Sequence, residues 1–449
     1  MQRELFGTDG IRGTPGEFPL DARTVFAVGL ALGEHLSARR EASAVVLGMD
    51  PRESSPWLAG YLSAGLRQAG VEVRSAGVIT TPGIAWLART GPFAAGVMIS
   101  ASHNPYRDNG IKIFDRAGYK LPDEQEHRLE QRIFALLETD LSPRTVTPPI
   151  EAGLDRAYVD FLAGTFQGTL GGLRLVVDGA NGAASHLAPA LFRRVGADVV
   201  TVACEPDGRN INRDCGSLHL ETLRETVLTV GADLGVAFDG DADRALFVSS
   251  SGRVVDGDGV LFLVARYLHE RGRLARPGRS PVVVATLMSN LGLEVALGHF
   301  GIRLVRASVG DKYVLEEMLR QDALLGGEQS GHIIFREYAT TGDGLLTALR
   351  VLEVLQSWQA ALDDSLRDLV LYPQVVLNVP VRAKPPLEQL PQVDGEIAEA
   401  RRELGDAARI LVRYSGTEMV ARVMVEGPDA ARVRERAERI AAAIRSALG

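Results

Sequence analysis

Three aspartates alternate in Phe238-Asp239-Gly240-Asp241-Ala242-Asp243-Arg244, directly after an apolar run. Carboxylates this close repel one another unless a cation holds them, and oxygen ligands without His or Cys suit a hard ion such as Mg²⁺. An EF-hand does not fit: counting from Asp239, Arg244 falls at the sixth position and Ser250 at the twelfth, where that loop needs glycine and a carboxylate. An acidic solvated turn is the plain alternative, and the apolar strands predicted on both sides count against it. A second stretch, Ser100-Ala101-Ser102-His103-Asn104-Pro105, follows the apolar Gly96 to Ile99 and precedes Asn109-Gly110-Ile111-Lys112. A serine at a strand end can be a nucleophile or a phosphate carrier if a metal, a base or a cation lies near, and His103 and Lys112 are the candidates. Alone, a Ser-His pair is weak evidence, since Asn-Pro and Asp108-Asn109-Gly110 are turn formers in their own right. The serine is not in a G-x-S-x-G elbow, so acyl transfer gains no support.

A third stretch, Gly326-Gly327-Glu328-Gln329-Ser330-Gly331-His332, sets a carboxylate, an amide, a hydroxyl and an imidazole among glycines. Such a loop can approach a polyhydroxylated ligand while Glu328 and Ser330 bond its hydroxyls; a glycine-rich turn into Ile333 explains it equally well. A fourth, Arg413-Tyr414-Ser415-Gly416-Thr417-Glu418, offers a guanidinium, two hydroxyls and backbone N–H groups, the makings of a phosphate cradle. A hairpin turn would account for its glycine but not its arginine. Neither a Walker A loop nor G-x-G-x-x-G occurs, so nucleotide binding has no support.

The elements that must position these stretches are short apolar runs alternating with helical patterns, the signature of α/β units. A helix is predicted around Val25 to Leu32 and another over Pro56 to Ala69. Strands are predicted at Ala44 to Met49, Ala95 to Ile99, Leu173 to Val177, Asp233 to Phe238, Val282 to Ala285 and Ile302 to Val305, with a long helix from Gly342 to Trp358. Strand, loop and helix recur three times with little residue identity, and the last part differs, with strands Arg409 to Tyr414 and Val420 to Val425 before a closing helix. The reading is three related mixed α/β domains, 1–150, 151–254 and 255–368, plus a smaller C-terminal α+β domain, 369–449, around one central cleft. Linkers are expected near 143–155, 249–257 and 365–373, and Pro373 to Pro391 reads as proline- and charge-rich connection.

The 449 residues are 46% hydrophobic and 24% charged, an ordinary globular balance with room for several cores. Net charge −8 argues against broad binding to nucleic acid or an anionic membrane. Two isolated cysteines, Cys204 and Cys215, exclude a disulfide framework and fit a reducing compartment. Without a signal-peptide stretch or a run long enough to span a bilayer, the chain is expected in the cytoplasm.

In order, Ser100 to Pro105, Phe238 to Arg244, Gly327 to His332 and Arg413 to Glu418 resemble the four active-site loops of the α-D-phosphohexomutase family. The opening Phe6-Gly7-Thr8-Asp9-Gly10-Ile11-Arg12-Gly13 looks like that family as well, and the likeness runs over essentially the whole chain. Gly-Glu-Gln-Ser-Gly-His, this N-terminus and Asp108 to Lys112 are most similar to the bacterial branch that interconverts glucosamine 6-phosphate and glucosamine 1-phosphate for UDP-N-acetylglucosamine and cell-wall precursors. The resemblance implies that Ser102 is the phosphoserine and that Asp239, Asp241 and Asp243 hold one Mg²⁺ per chain, which also touches the serine phosphate. It further implies that Glu328 and Ser330 hold sugar hydroxyls, with His332 beside them, and that Arg413, Ser415, Gly416 and Thr417 grip the phosphate that is not reacting. Arg12, Arg244 and Lys112 would add positive charge, and either His103 or Lys112 would move the sugar hydroxyl's proton. Glucosamine 1,6-bisphosphate would be intermediate and primer; a bisphosphate, a kinase or autophosphorylation would first charge Ser102. A homodimer is implied too. In one departure, Met419 follows Glu418 where the family commonly has proline, which removes some loop pre-ordering. The same chemistry on glucose or mannose phosphates is the nearest alternative; a phosphatase and a silent sugar-phosphate binder are the others.

Overall fold

A computed structural model describes residues 5–7, 9–38, 44–405, 407–415 and 419–449. The chain forms three mixed α/β domains and a C-terminal α+β domain. By contacts it divides into two compact units, Met1–Leu287 with Leu304–Leu366, and Met288–Arg303 with Arg367–Gly449.

The first sheet runs, in spatial order, Phe6–Gly7, Gly10–Gly13, Asn109–Asp115, Ala95–Ile99, Ala44–Met49 and Glu72–Val78. Ala44–Met49 is parallel to both Glu72–Val78 and Ala95–Ile99. Helices Ala22–Ala38 and Ser55–Gln68 cross so closely that a Cβ on Gly29 would sit 2.1 Å from Leu62 O and one on Gly65 2.2 Å from Phe26 O. Glycine there is what lets the two backbones touch and seal the core around Phe26, Leu62 and Val97. The second sheet, in order Val254–Val255, Ala245–Ser249, Leu234–Phe238, Arg174–Asp178 and Asp198–Val202, again has a parallel centre and an antiparallel edge. The third has the order Arg303–Ala307, Val282–Thr286, Leu325–Gly327 and Ile333–Phe335. The fourth, Gln374–Pro380, Val420–Glu426 and Arg409–Tyr414, is antiparallel throughout and packs under helices Pro391–Leu404 and Ala430–Leu448.

One topological feature places the chemistry. In each of the first three sheets a strand that pairs in parallel on one side turns back into an antiparallel partner on the other: Ala95–Ile99 into Asn109–Asp115, Leu234–Phe238 into Ala245–Ser249, Leu325–Gly327 into Ile333–Phe335. The hairpin connections are the Ser102, Asp239 and Glu328 loops. In the fourth sheet the connection between Arg409–Tyr414 and Val420–Glu426 carries Ser415. All four chemistry-bearing stretches therefore lie at carboxyl ends of strands, where open sheets expose backbone groups to ligands.

Three expectations need correction. Asn109–Asp115, whose first residues read only as turn formers, is an inner strand of the first sheet. Ile111, Ile113 and Phe114 are buried, and Gly110 gives the clearance that Ser100 O requires, 2.6 Å from where a Cβ would stand. Residues 254–255 form the edge strand of the second sheet and Gly257 opens a helix, so 249–257 is not a linker; Asp256 caps that helix by accepting from the N–H groups of Asp258 and Gly259. Gln374–Pro380, expected as connection, is a strand whose Val379 is fully buried and whose proline falls at the strand end, on an edge.

Candidate active site

Ser102 lies in the left-handed region, φ 54°, and is 1% exposed. Its Oγ donates to Asp239 Oδ2 at 2.5 Å and lies 3.3 Å from His103 Nδ1. Two hairpins from different sheets thus meet at one hydroxyl. The three aspartates are buried, and one carboxylate oxygen from each lies within 4.8 Å of the others. Burial, then Asp243 and Asp241, push the Asp239 carboxyl well above the ordinary range. Asp243 goes the other way: burial would raise it, but Lys112, His332 and Arg244 hold it far below. Asp241 accepts from Thr81 Oγ1 and Lys112 Nζ through Oδ2, whereas Asp241 Oδ1 and Asp243 Oδ1 are buried with no hydrogen-bond donor among the described residues. Two buried carboxylate oxygens that no described group hydrogen-bonds, beside a third carboxylate, are what a small oxygen-seeking divalent cation would satisfy, so the donor set fits Mg²⁺.

Lys112 sits beneath this cluster, 1% exposed, with Nζ 2.8 Å from Asp241, 3.0 Å from Asp9 and 3.6 Å from Asp243. Burial alone would lower its ammonium, but Asp241, Asp9 and Asp243 outweigh it and raise it above the usual lysine value. His103 is held down to about 4, first by burial and then by Arg244 and Arg12, so it is uncharged at neutral pH. The two expected proton carriers therefore differ in kind: His103 is in accepting form, and Lys112 is a fixed cation.

Above the cluster opens a cavity of about 610 Å³ walled by Phe6, Asp9, Arg12, His103, Asn104, Asp243, Arg244, Gly310, Asp311, Glu328 and His332, with neighbours. Arg12 donates to Ala101 O at 2.8 Å and pairs with Asp9. Burial would lower Arg244, yet Asp243, Asp239 and Glu328 raise it, so it presents a firm positive charge. Glu328 Oε1 accepts from Gly310 N–H at 3.0 Å. Gly342 N–H donates to His332 Nε2 at 2.9 Å, which assigns the ring proton to Nδ1, 3.6 Å from Asp243 Oδ1. Ser330 is not part of this wall; its Oγ is enclosed without a hydrogen-bond partner among the described residues.

In the second unit, Arg413 stands directly opposite Arg422 on neighbouring antiparallel strands, and burial followed by the Arg422 charge lowers it. Ser415 N–H donates to Val420 O at 2.8 Å and Lys384 Nζ donates to Ser415 O at 2.6 Å. Gly416 and Thr417, expected in the same cradle, lie outside the described residues, as do Thr8 and Glu418.

Several participants escaped the sequence reading. Lys120 bridges Asp9 and Asp311, tying the first domain to the third across the cavity wall. Arg422 and Lys384 add charge to the fourth hairpin. Arg52 and Asp50 stand under the Ser102 loop. Asp50-Pro51-Arg52 was findable, because a charged pair directly follows a strand predicted to be buried, next to the strand that ends in the serine loop.

The chain matches the family models described as phosphoglucomutase/phosphomannomutase alpha/beta/alpha domain I over residues 3–140, domain II over 156–252, domain III over 256–372 and the C-terminal domain over 376–443. It is 54% identical over the full length of both chains to a phosphoglucosamine mutase of Solibacter usitatus, and 50% identical to one of Koribacter versatilis, covering 100% of this chain and 98% of that one. Among solved structures, a phosphoglucomutase/phosphomannomutase family protein of Burkholderia thailandensis is 26% identical with a TM-score of 0.81, covering 98% of this chain and 97% of that one. An Aspergillus fumigatus N-acetylphosphoglucosamine mutase, described in complex with GlcNAc-6P and magnesium, is 18% identical with a TM-score of 0.68 over 100% of this chain and 96% of that one, a likeness of fold.

Proposed function

The chain belongs to the phosphoglucomutase/phosphomannomutase family, and we infer from its likeness to phosphoglucosamine mutases and from its site that it is the isomerase interconverting glucosamine 6-phosphate and glucosamine 1-phosphate. The observation that carries the reading is the buried Ser102 hydroxyl on Asp239, beside His103 and in one loop with Asp243 and Arg244, which line a cavity together with Arg12, Glu328 and His332.

In the reaction we propose, Ser102 carries a phosphoryl group. A hydroxyl of the bound sugar phosphate attacks that phosphorus, an O–P bond forms, the Ser102 Oγ–P bond breaks, and the hydroxyl proton passes to neutral His103 and on to the departing Ser102 Oγ, which lies 3.3 Å from His103 Nδ1. The product is glucosamine 1,6-bisphosphate. After it turns over in the cavity, Ser102 Oγ attacks its other phosphorus, the sugar O–P bond there breaks, and the Oγ proton passes through His103 to the sugar oxygen released. Arg12 and Arg244 oppose the charge that spreads over the transferring oxygens, and Lys112 keeps the aspartates together from below. Asp239, Asp241 and Asp243 would hold one Mg²⁺, which when bound would neutralise phosphoryl charge. Glu328 and His332 would bond sugar hydroxyls, and Ser330 would join them only if its loop turns toward the ligand. Arg413 and Ser415, with Gly416 and Thr417, would hold the distal phosphate, whichever end of the sugar it is on. The bisphosphate would also supply the first phosphate on Ser102.

The test is ³¹P NMR of glucosamine 6-phosphate with Mg²⁺ and catalytic glucosamine 1,6-bisphosphate. The expected result is 1-phosphate from the parent and none from Ser102→Ala. Faster turnover of glucose or mannose phosphates would reassign the substrate, and free phosphate without isomer would replace the mutase by a phosphatase.

A further inference from the structure

The Ser102 loop is wrapped around a buried guanidinium. Arg52, 1% exposed, uses every N–H it has: Nε to Asp50 Oδ2 at 2.8 Å, Nη1 to Asp108 O at 3.0 Å and to Pro105 O, Nη2 to Ser102 O and to Asn104 O, both at 2.9 Å. Four carbonyls of one short segment therefore converge on one flat group. From the second domain, Asn212 Nδ2 reaches the same two central carbonyls, Ser102 O at 2.9 Å and Asn104 O at 3.0 Å. Gly240 leaves the space this requires, since a Cβ there would stand 2.4 Å from Ser102 O. The other side of the serine is tied as well. Ser102 N–H donates to Ser100 Oγ at 3.0 Å, and Ser100 Oγ donates to Asp50 Oδ2 at 2.6 Å. The Asp50–Arg52 pair thus governs both backbone polar groups of a residue whose φ of 54° is unfavourable for any side chain but glycine.

We propose that Arg52, assisted by Asn212, is a positioning residue for phosphoryl transfer, holding Ser102 in its left-handed backbone so that Oγ points at the aspartate cluster. Arg52 lies behind the loop, with its donors spent on carbonyls, and acts on the substrate only through the serine. Lysine could not replace it, because three N–H groups on a tetrahedral nitrogen cannot serve a carboxylate and four carbonyls lying around a plane. The carbonyls released would let Ser102 relax toward ordinary φ and swing Oγ away from Asp239.

The proposal rests on Ser102 being the phosphoryl carrier, and the test separates the two ideas. Full-length parent, Arg52→Lys and Asn212→Gly are mixed with glucosamine 1,6-bisphosphate, and phosphorylation of Ser102 is followed in a single turnover by intact-mass measurement, alongside steady-state kcat and KM for glucosamine 6-phosphate. Asn212→Gly keeps the left-handed backbone at that position, φ 58°, and covers the case in which Arg52→Lys does not fold. For Arg52→Lys the rate constant and kcat should fall about 100-fold, the scale of an ångström-sized misplacement, and for Asn212→Gly about 10-fold. The extent of labelling should stay near that of the parent, and KM should change by less than about 3-fold. Parental rates in both variants, or parental rate constants with a reduced labelled fraction, would overturn it, since the latter is the mark of a merely structural residue. A parent that turns over sugar phosphate without labelling Ser102 would overturn the functional reading and this one together.

Discussion

The Ser102–aspartate centre and the Ser415 region are both built on antiparallel strand pairs, and under the proposed function they solve opposite problems. At Ser102 and the three aspartates, buried groups are answered by other buried groups: Lys112 by three carboxylates, Arg52 by Asp50 and four carbonyls, Ser102 by Asp239. At the Ser415 hairpin, like charges face each other, Arg413 across from Arg422, on strand residues that are only half buried. Phosphoryl transfer needs reacting atoms fixed to a fraction of an ångström, so its site is rigid before ligand arrives. A cradle that must accept either end of one sugar needs positive charge more than fixed geometry, and like charges held together are relieved when a phosphate binds between them.

If that contrast is right, damage to the centre lowers kcat and damage to the hairpin raises KM. The largest effect is expected for Asp241→Asn, with kcat down about 100- to 1,000-fold in a steady-state assay, as for loss of a charge-stabilising group; chelation of divalent ions should reduce the parent to a similar level, and added Mg²⁺ should restore it. Next comes His103→Gln, with kcat down about 100-fold. Because the parent imidazole is held down to about 4, its accepting form persists to acid, so the parent's pH–rate profile should stay level from neutral pH and fall only as pH drops through about 4, with no step at the ordinary histidine value of 6.5. Arg413→Ala should raise KM about 10- to 100-fold, matching about 1.5–3 kcal/mol for hydrogen bonds to a charged group, with little change in kcat. A kcat loss there without a KM change would end the comparison.

The smallest effect concerns stability. Asp178, at the end of the second domain's inner strand Arg174–Asp178, is pushed up to about 6 by burial, although the N–H groups of Gly216 and Ala180 favour its charged form. A carboxyl with a higher value folded than unfolded binds its proton more tightly when folded. Its contribution is therefore fully present below about 3.8 and lost as pH rises through about 6. Asp178→Asn removes that titration, so denaturation midpoints relative to the parent should be more favourable to the variant at pH 8 than at pH 5.

Much of this was legible in the residues. Ala44–Met49 and Ala95–Ile99 begin and end where their apolar runs do, because a strand buried on both faces has nothing but its own hydrophobicity to announce it. Asn109–Asp115 was hidden by turn-forming Asp-Asn-Gly at its start, and Gln374–Pro380 by prolines that an edge strand tolerates. The triple aspartate and the serine were visible because such residues in such a spacing have few structural uses. Lys120 and Asn212 were not, since a charged or amide side chain in a sequence looks the same whether it faces water or is enclosed.

The sequence by itself determined the chemistry available: a serine, three carboxylates, a glycine-rich loop with Glu328 and His332, and an arginine followed by hydroxyls, each at the end of a strand. Only the tertiary structure decided their states. It set His103 uncharged and Lys112 charged, left Asp241 Oδ1 and Asp243 Oδ1 without hydrogen-bond donors among the described residues, kept Ser330 off the cavity wall, and turned four donors of Arg52 onto the carbonyls of one segment. The reason is physical. Residue type fixes which atoms can ionise or donate, but burial and the distances to opposite charges fix which form they take, and those distances join residues as far apart as Ser102 and Asp239.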